Sequence, residues 1–291
     1  MFSVDVENIV LECFAEFSRS AKNEASLKRE FEASGEQYQK LIRHVITRWL
    51  TLFEGLARII KSIEPIKSYF ISRGEEHCHK AIWQLFGDQE DGLSSHAEPT
   101  LNEIKLYFVH SFLSDVHEAL LALESEATLA CHLSKILCGL TDKIENKRKD
   151  KFFGMIATFA KKKNYLDERK WKAFEIEALK VYDRFLLYLK RYFHEEKRDF
   201  FDKLSIFDLS SRPPTLNNML NIFELESFKV GEPGHDLYAE LKTLETLFPN
   251  LKGSTLEKWN LFFQSFGWNI EMSIIYKSVS FYDNTRVKRL R

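Results

Sequence analysis

Backbone punctuation is scarce in this chain, with only 11 glycines and 6 prolines in 291 residues. So few breakers mean long uninterrupted elements, which favours helices over the turn-rich strands of a sandwich. Cysteine is scarce as well. Cys13, Cys78, Cys131 and Cys138 are scattered through the chain, which excludes a disulfide framework and reads as the reduced thiols of an intracellular protein. No stretch approaches the eighteen or so apolar residues of a membrane span. Met1 to Val10 contains Asp5 and Glu7 and no basic lead into an apolar run, so a signal peptide is not expected. An excess of charge of one sign is also missing: 42 Lys and Arg face 43 Asp and Glu, for a net charge of −1. No global field therefore draws the chain to nucleic acid or membrane, and any basic surface is local. What the chain has in excess is phenylalanine, 25 residues of it, which predicts heavily aromatic packing. The 44% hydrophobic and 29% charged fractions are those of an ordinary folded globule, long enough for one large domain or two smaller ones.

Helical spacing recurs along the chain. Ile9, Val10, Cys13, Phe14 and Phe17 predict a helix over roughly 6–31, ended by the polar stretch 33–37. Leu41, Val45, Trp49, Leu52, Phe53, Leu56, Ile59, Ile60 and Ile63 form one apolar stripe, which Pro65 should end or kink. Gly87 to Pro99 reads as a loop, with Thr100 or Asn102 capping the next helix. Periodicity returns over 101–144, as two helices or one with a break near Ser125. A long helix is predicted over 167–203, with Trp171, Phe174, Ala178, Val181, Phe185, Leu189, Tyr192 and Phe193 on its buried side. The Pro- and Gly-containing stretch 210–235 reads as a linker or loop between a main bundle, 1–209, and a C-terminal helical segment, 236–291. That segment holds patterns at 236–248, 254–266 and 273–280. No fixed-period repeat is present. The expected fold is mainly α, a helical bundle with at most a small sheet.

No motif carries a complete catalytic apparatus. His77, Cys78 and His79 are consecutive, as are Cys131 and His132, whereas zinc ligands need spacings that let pairs converge on one ion. Cys131 and Cys138, seven apart, are predicted to share one helix face as small apolar groups. There is no G-x-S-x-G elbow, no phosphate-cradling glycine loop and no H-E-x-x-H. His194 beside Glu195 and Glu196 lacks a second histidine. Glu75–Glu76 and Asp167–Glu168 read as solvated helix ends. No metal, cofactor or small-molecule substrate is expected.

The basic residues are concentrated. Lys147, Arg148, Lys149 and Lys151 are followed by Lys161, Lys162 and Lys163, then by Arg169, Lys170 and Lys172. Phe152, Phe153, Phe159, Tyr165 and Trp171 are interleaved. Lysines that neutralise phosphates, with aromatics for base stacking, suit nucleic acid. Glu145, Asp150, Asp167 and Glu168 dilute this charge, and a solvated helical hairpin would read the same. Arg286, Lys288, Arg289 and Arg291 form a second basic cluster.

Thr47-Arg48-Trp49, followed by Leu50 and Leu52 and closed by Ser68-Tyr69-Phe70, resembles a recurring pattern of hAT-superfamily transposases. Phe31 to Val45 resembles the stretch that precedes it there, and Tyr182 to Asp208 resembles that family's later insertion helix and the element after it. The likeness implies the helical insertion region of a ribonuclease H-like transposase, whose three carboxylates hold two metal ions for strand cleavage and transfer. It also implies that Trp49 matches a tryptophan that stacks on an extruded base; the alternative is a core residue of its apolar stripe. The departures bear on activity. Two of the acidic positions would lie upstream of residue 1. Lys288 would stand where the third, a glutamate, belongs, and a protonated lysine repels a divalent cation. The expectation is a catalytically inactive, transposase-derived, nuclear protein, not an enzyme. It would retain DNA contacts through Arg48, Trp49, Lys161, Lys162 and Lys163. The alternative is a helical scaffold for a protein partner or a homo-oligomer, with no nucleic-acid role.

Overall fold

A computed structural model of the chain describes residues 4–46, 49–86, 98–125, 129–223 and 237–265, together with Ile275, Ser278 and Val279. Most of the predicted loop 87–99 and of the pattern 273–280 lies outside the described residues. Among the described residues there are thirteen α-helices and no strand. The mainly α class is therefore as the sequence predicts. No described helix is long and apolar enough to cross a membrane. Two compact units are present: residues 1–120 with 142–186, and residues 121–141 with 187–291.

Unit 1 begins with α1 (Val6–Ser18) and α2 (Ala21–Ser34), two helices where the spacing predicts one. The break has a local cause. The Ser20 hydroxyl accepts the Asn23 N–H at 3.2 Å, so serine opens a new helix as an N-cap. Gly35, at φ 73°, closes α2 in the left-handed region, as helix ends commonly do. The stripe expected from Leu41 to Ile63 is shorter than its periodicity implies. Helix begins only at Trp49, with α3 (Trp49–Lys61) followed by α4 (Ile63–Arg73). Leu41 is buried outside any helix and Val45 is exposed. Pro65 does mark the break expected of it: α3 ends at Lys61, whose carbonyl lies four residues before a proline that has no N–H to offer it. It stands third in α4, in the first turn, where no ladder N–H is required of it. α5 (Lys80–Phe86) completes this half. α1 packs against α2, α3 and α5, while α4 packs against α2 and α5. Gly55 permits the α1–α3 approach, because a Cβ there would sit 2.8 Å from Val10 Cγ1. Tyr69 and Phe70 meet Phe17 at centroid distances of 4.8 and 5.6 Å. The Tyr69 hydroxyl donates to Glu16 at 2.9 Å.

The rest of unit 1 is built on α6 (Leu101–Glu124), which ends next to the predicted break at Ser125. Thr100 caps it: its hydroxyl accepts the Glu103 N–H at 3.1 Å and its own N–H donates to the Glu103 carboxylate at 2.5 Å. That carboxylate also meets Lys67 of α4 at 2.9 Å, with both side chains almost fully buried. Burial pushes the Glu103 carboxyl up, against the Thr100 N–H and Lys67, which pull it down. α7 (Leu133–Lys149), α8 (Met155–Lys163) and α9 (Glu168–Tyr192) come next. An aromatic core joins α6 to α9: Phe108 lies 5.9 Å from Phe153, 6.0 Å from Phe174 and 5.5 Å from Tyr182.

Unit 2 holds the start of α7, the end of α9, and α10 (Glu195–Leu204), α11 (Leu216–Phe223), α12 (Leu237–Leu247) and α13 (Thr255–Gln264). The single helix predicted over 167–203 is thus two, parted at Phe193 and His194. Val181 and Phe185 are only half-buried and Tyr192 is exposed, whereas Tyr182 faces inward. The stretch 210–235 expected as a linker contains α11, with Met219 and Ile222 in the core. Residues 224–235 of that stretch lie outside the described residues. α12 and α13 match their predicted spans, and α13 opens on a reciprocal Ser254–Glu257 cap. Trp259 is fully buried and donates to the Phe207 carbonyl at 2.9 Å.

Candidate functional site

The site residues anticipated from sequence fall into two groups. Arg48 lies outside the described residues, as does Lys288 with the basic cluster around it. Trp49 opens α3, but its side chain is not described. Lys161, Lys162 and Lys163 form the last turn of α8 and are all exposed. Three positive charges at a helix C-terminus complement the macrodipole, and Asn164, at φ 56°, terminates the helix there. The next cations have no such explanation. Arg169 and Lys170 stand in the first turn of α9, where the dipole disfavours them. The Asp167 carboxylate accepts the Lys170 backbone N–H at 2.7 Å and relieves part of this.

The fold sorts the basic stretch. Lys147 is bound to Asp115. Arg148 meets Asp183 at 2.5 Å, Lys151 meets Glu175 at 2.6 Å, and Lys172 meets Glu168 at 2.9 Å. Lys161 lies over the Trp171 ring, 5.1 Å from its centroid. Lys149, Lys162, Lys163 and Arg169 make no ion pair among the described residues. The interleaved aromatics are sorted too. Phe153 and Trp171 are core residues, at 5.4 and 5.2 Å from Phe174. Phe152 is half-buried, whereas Phe159 is 52% exposed and Tyr165 36%.

Helix α8 places some of these groups on one face. Its inner face is made of small residues, Ala157 and Ala160, both 1% exposed. Gly154 leads into it with φ 97°, and a Cβ there would lie 3.0 Å from Ser111 Cβ, so the chain arrives tight against α6. The large apolar residues Met155, Ile156 and Phe159 point outward. Met155, Phe159, Lys162 and Lys163 have the spacing of a single helix face. The helix thus reverses the usual arrangement, in which the apolar stripe faces the core. Contiguous exposed apolar surface edged by polar groups is a common setting for interaction sites.

Elsewhere the chemistry is structural. Among the described residues no group of three or more His, Cys, Asp or Glu can hold a metal ion. Cys131 and Cys138 do not share a helix face: Cys131 is buried in the turn 130–132 and Cys138 is exposed on α7. His194 pairs only loosely with Glu196, at 3.9 Å on the surface. Tertiary structure does assemble one cluster that sequence spacing could not, namely Cys131, His132, Asp208 and Thr255. His132 Nδ1 accepts the Leu129 N–H at 3.1 Å, and Nε2 faces Asp208 at 3.6 Å. Both imidazole nitrogens are therefore engaged, and burial pushes the Cys131 thiol up to about 12, far from the thiolate a nucleophile needs. Burial would raise Asp208, but the Thr255 hydroxyl, the Ser210 N–H and His132 together hold its carboxyl below the usual range. This is an internal strut. A cavity of about 40 Å³ beside it, lined by Leu129, Cys131, Phe207 and Trp259 among others, has room for roughly two or three waters.

Compared with known proteins, the chain matches no family model, no curated protein and no solved structure.

Proposed function

We propose that this chain binds nucleic acid through the outward face of α8 and its turn into α9, and that it descends from the helical region of a hAT-superfamily transposase without that family's catalysis. One observation carries the binding reading: Lys162, Lys163 and Arg169 are exposed and without ion pairs among the described residues, in the same short stretch of chain as the exposed rings of Phe159 and Tyr165. Residues 155–172 carry six Lys or Arg against Asp167 and Glu168 alone, so a locally positive surface stands on a neutral chain. Such a surface gains affinity by releasing counterions from phosphates. The descent rests on the order of the Thr47-Arg48-Trp49, Ser68-Tyr69-Phe70 and Tyr182–Asp208 segments, and nuclear placement rests on that descent.

Fluorescence anisotropy of labelled DNA at low and near-physiological salt tests this reading. Affinity should fall steeply with salt. The double variant Lys162→Glu/Lys163→Glu should weaken binding by on the order of a hundredfold at low salt and flatten the salt slope by nearly one for each lysine. Lys161 is left in place because it covers Trp171. Unchanged affinity in the variant would remove the α8 face from the proposal.

The scaffold reading is favoured by a different surface, the end of α9 in unit 2. Leu187, Tyr188 and Tyr192 are 68%, 54% and 50% exposed, and the two tyrosine rings lie tilted by 37° at a centroid distance of 4.3 Å. Aromatic residues of this kind anchor protein partners.

A further inference from the structure

The composition of the α8 face narrows the ligand, and this step rests on the nucleic-acid reading. A duplex hides its base faces and presents phosphate and sugar on its outside, so a surface meant only for duplex backbone needs cations and hydrogen-bond donors. The α8 face has more than these. Phe159 stands one helical turn, about 6 Å along the axis, before Lys163. Met155 and Ile156 extend the apolar surface by a further turn, and Tyr165 lies just past the lysines on the turn into α9. The chain does bury aromatics where it has a core for them, as with Phe153, Trp171 and Phe174. On α8 it uses alanines inside and leaves the large side chains in water. We infer that the α8 face takes unpaired nucleotides, in a single strand or an opened segment, with Phe159 and Tyr165 stacking on base faces while Lys162, Lys163 and Arg169 neutralise the phosphates. Cations that track the backbone, interleaved with aromatics that accept any base, are the general requirement for single-strand binding.

The test uses the full chain and two fluorescein-labelled probes, an oligothymidylate of about a dozen nucleotides, within the span that such surfaces cover, and a duplex of the same length. The expected result is binding of the single strand roughly tenfold or more tightly than the duplex, as one stacked base contributes. Phe159→Ala should abolish most of that difference while leaving the salt slope unchanged. Lys162→Glu/Lys163→Glu should do the converse and lower the slope for both probes. Phe159 is half exposed, so its removal leaves the core intact, which circular dichroism and thermal melting check. Equal or tighter binding of the duplex overturns the inference but leaves nucleic-acid binding standing, as does a Phe159→Ala variant that loses the same factor on both probes or none on the single strand. Binding of neither probe at low salt overturns the nucleic-acid reading itself, and this inference with it.

Discussion

Residues 147–151 and 161–163 are both short lysine-rich runs among aromatics, yet the fold treats them in opposite ways. In the first, Lys147, Arg148 and Lys151 hold carboxylates on α6 or α9, respectively Asp115, Asp183 and Glu175, and only Lys149 makes no ion pair among the described residues. In the second, Lys162 and Lys163 reach into solvent and Lys161 lies over an indole. A basic run is therefore no signal of its own. It becomes a binding surface only where tertiary structure supplies no partner, and it becomes a clamp between helices where it does.

The comparison can be sharpened by measuring stability and nucleic-acid affinity side by side. The largest stability loss should come from the most buried clamp. Lys67→Met would strand the Glu103 carboxylate in the core and should lower unfolding free energy by about 3–5 kcal/mol, read by denaturant titration. Because Glu103 also caps α6, a loss below about 1 kcal/mol would show that water reaches the pair. Lys147→Met, which removes a partly buried partner of Asp115, should lower stability by about 1–3 kcal/mol and leave DNA affinity almost unchanged. If instead affinity falls and stability holds, the division between clamp and surface is wrong. Lys162→Ala should be the mirror image, with stability within about 0.5 kcal/mol of the parent and a measurable loss of affinity.

The smallest effect concerns pH. His110 is stacked on Phe53 at 5.1 Å, and burial holds its imidazole below the usual histidine value. The unfolded chain then binds a proton that the folded one resists. Stability is intact above the unfolded value of about 6.5 and is lost as the pH falls from there toward the lowered folded value. His110→Phe should make thermal stability between pH 7 and 5 less sensitive to acid. An unchanged pH profile in that variant would assign the titration to other groups.

Much of the helical content was legible in local spacing. α6, α12 and α13 stand where their periodicity places them, because caps such as Thr100–Glu103 and Ser254–Glu257 are chemical signals written within four residues. Where spacing misled, a competing local signal was present. Ser20 starts a helix inside an apolar pattern. Leu41 belongs to the core without belonging to a helix. Val45 is exposed, so the pattern that Leu41 and Val45 contribute to reflects neither helical geometry nor a shared buried face. The candidate surface was legible only as a composition: lysines and aromatics between residues 147 and 172.

The sequence by itself determined the class of structure and the presence of concentrated charge, since both depend on residue type and near-neighbour spacing. Tertiary structure alone decided which charges are spoken for. Asp115, Asp183 and Glu175 lie 24 to 35 residues from the lysines and arginine they hold, and no local rule relates positions so far apart. It also decided that Phe153 and Trp171 go into the core while Phe159 stays outside. That choice depends on which face of α8 the tight approach at Gly154 and Ser111 turns inward, and an outward-facing phenylalanine has the same spacing in sequence as a buried one.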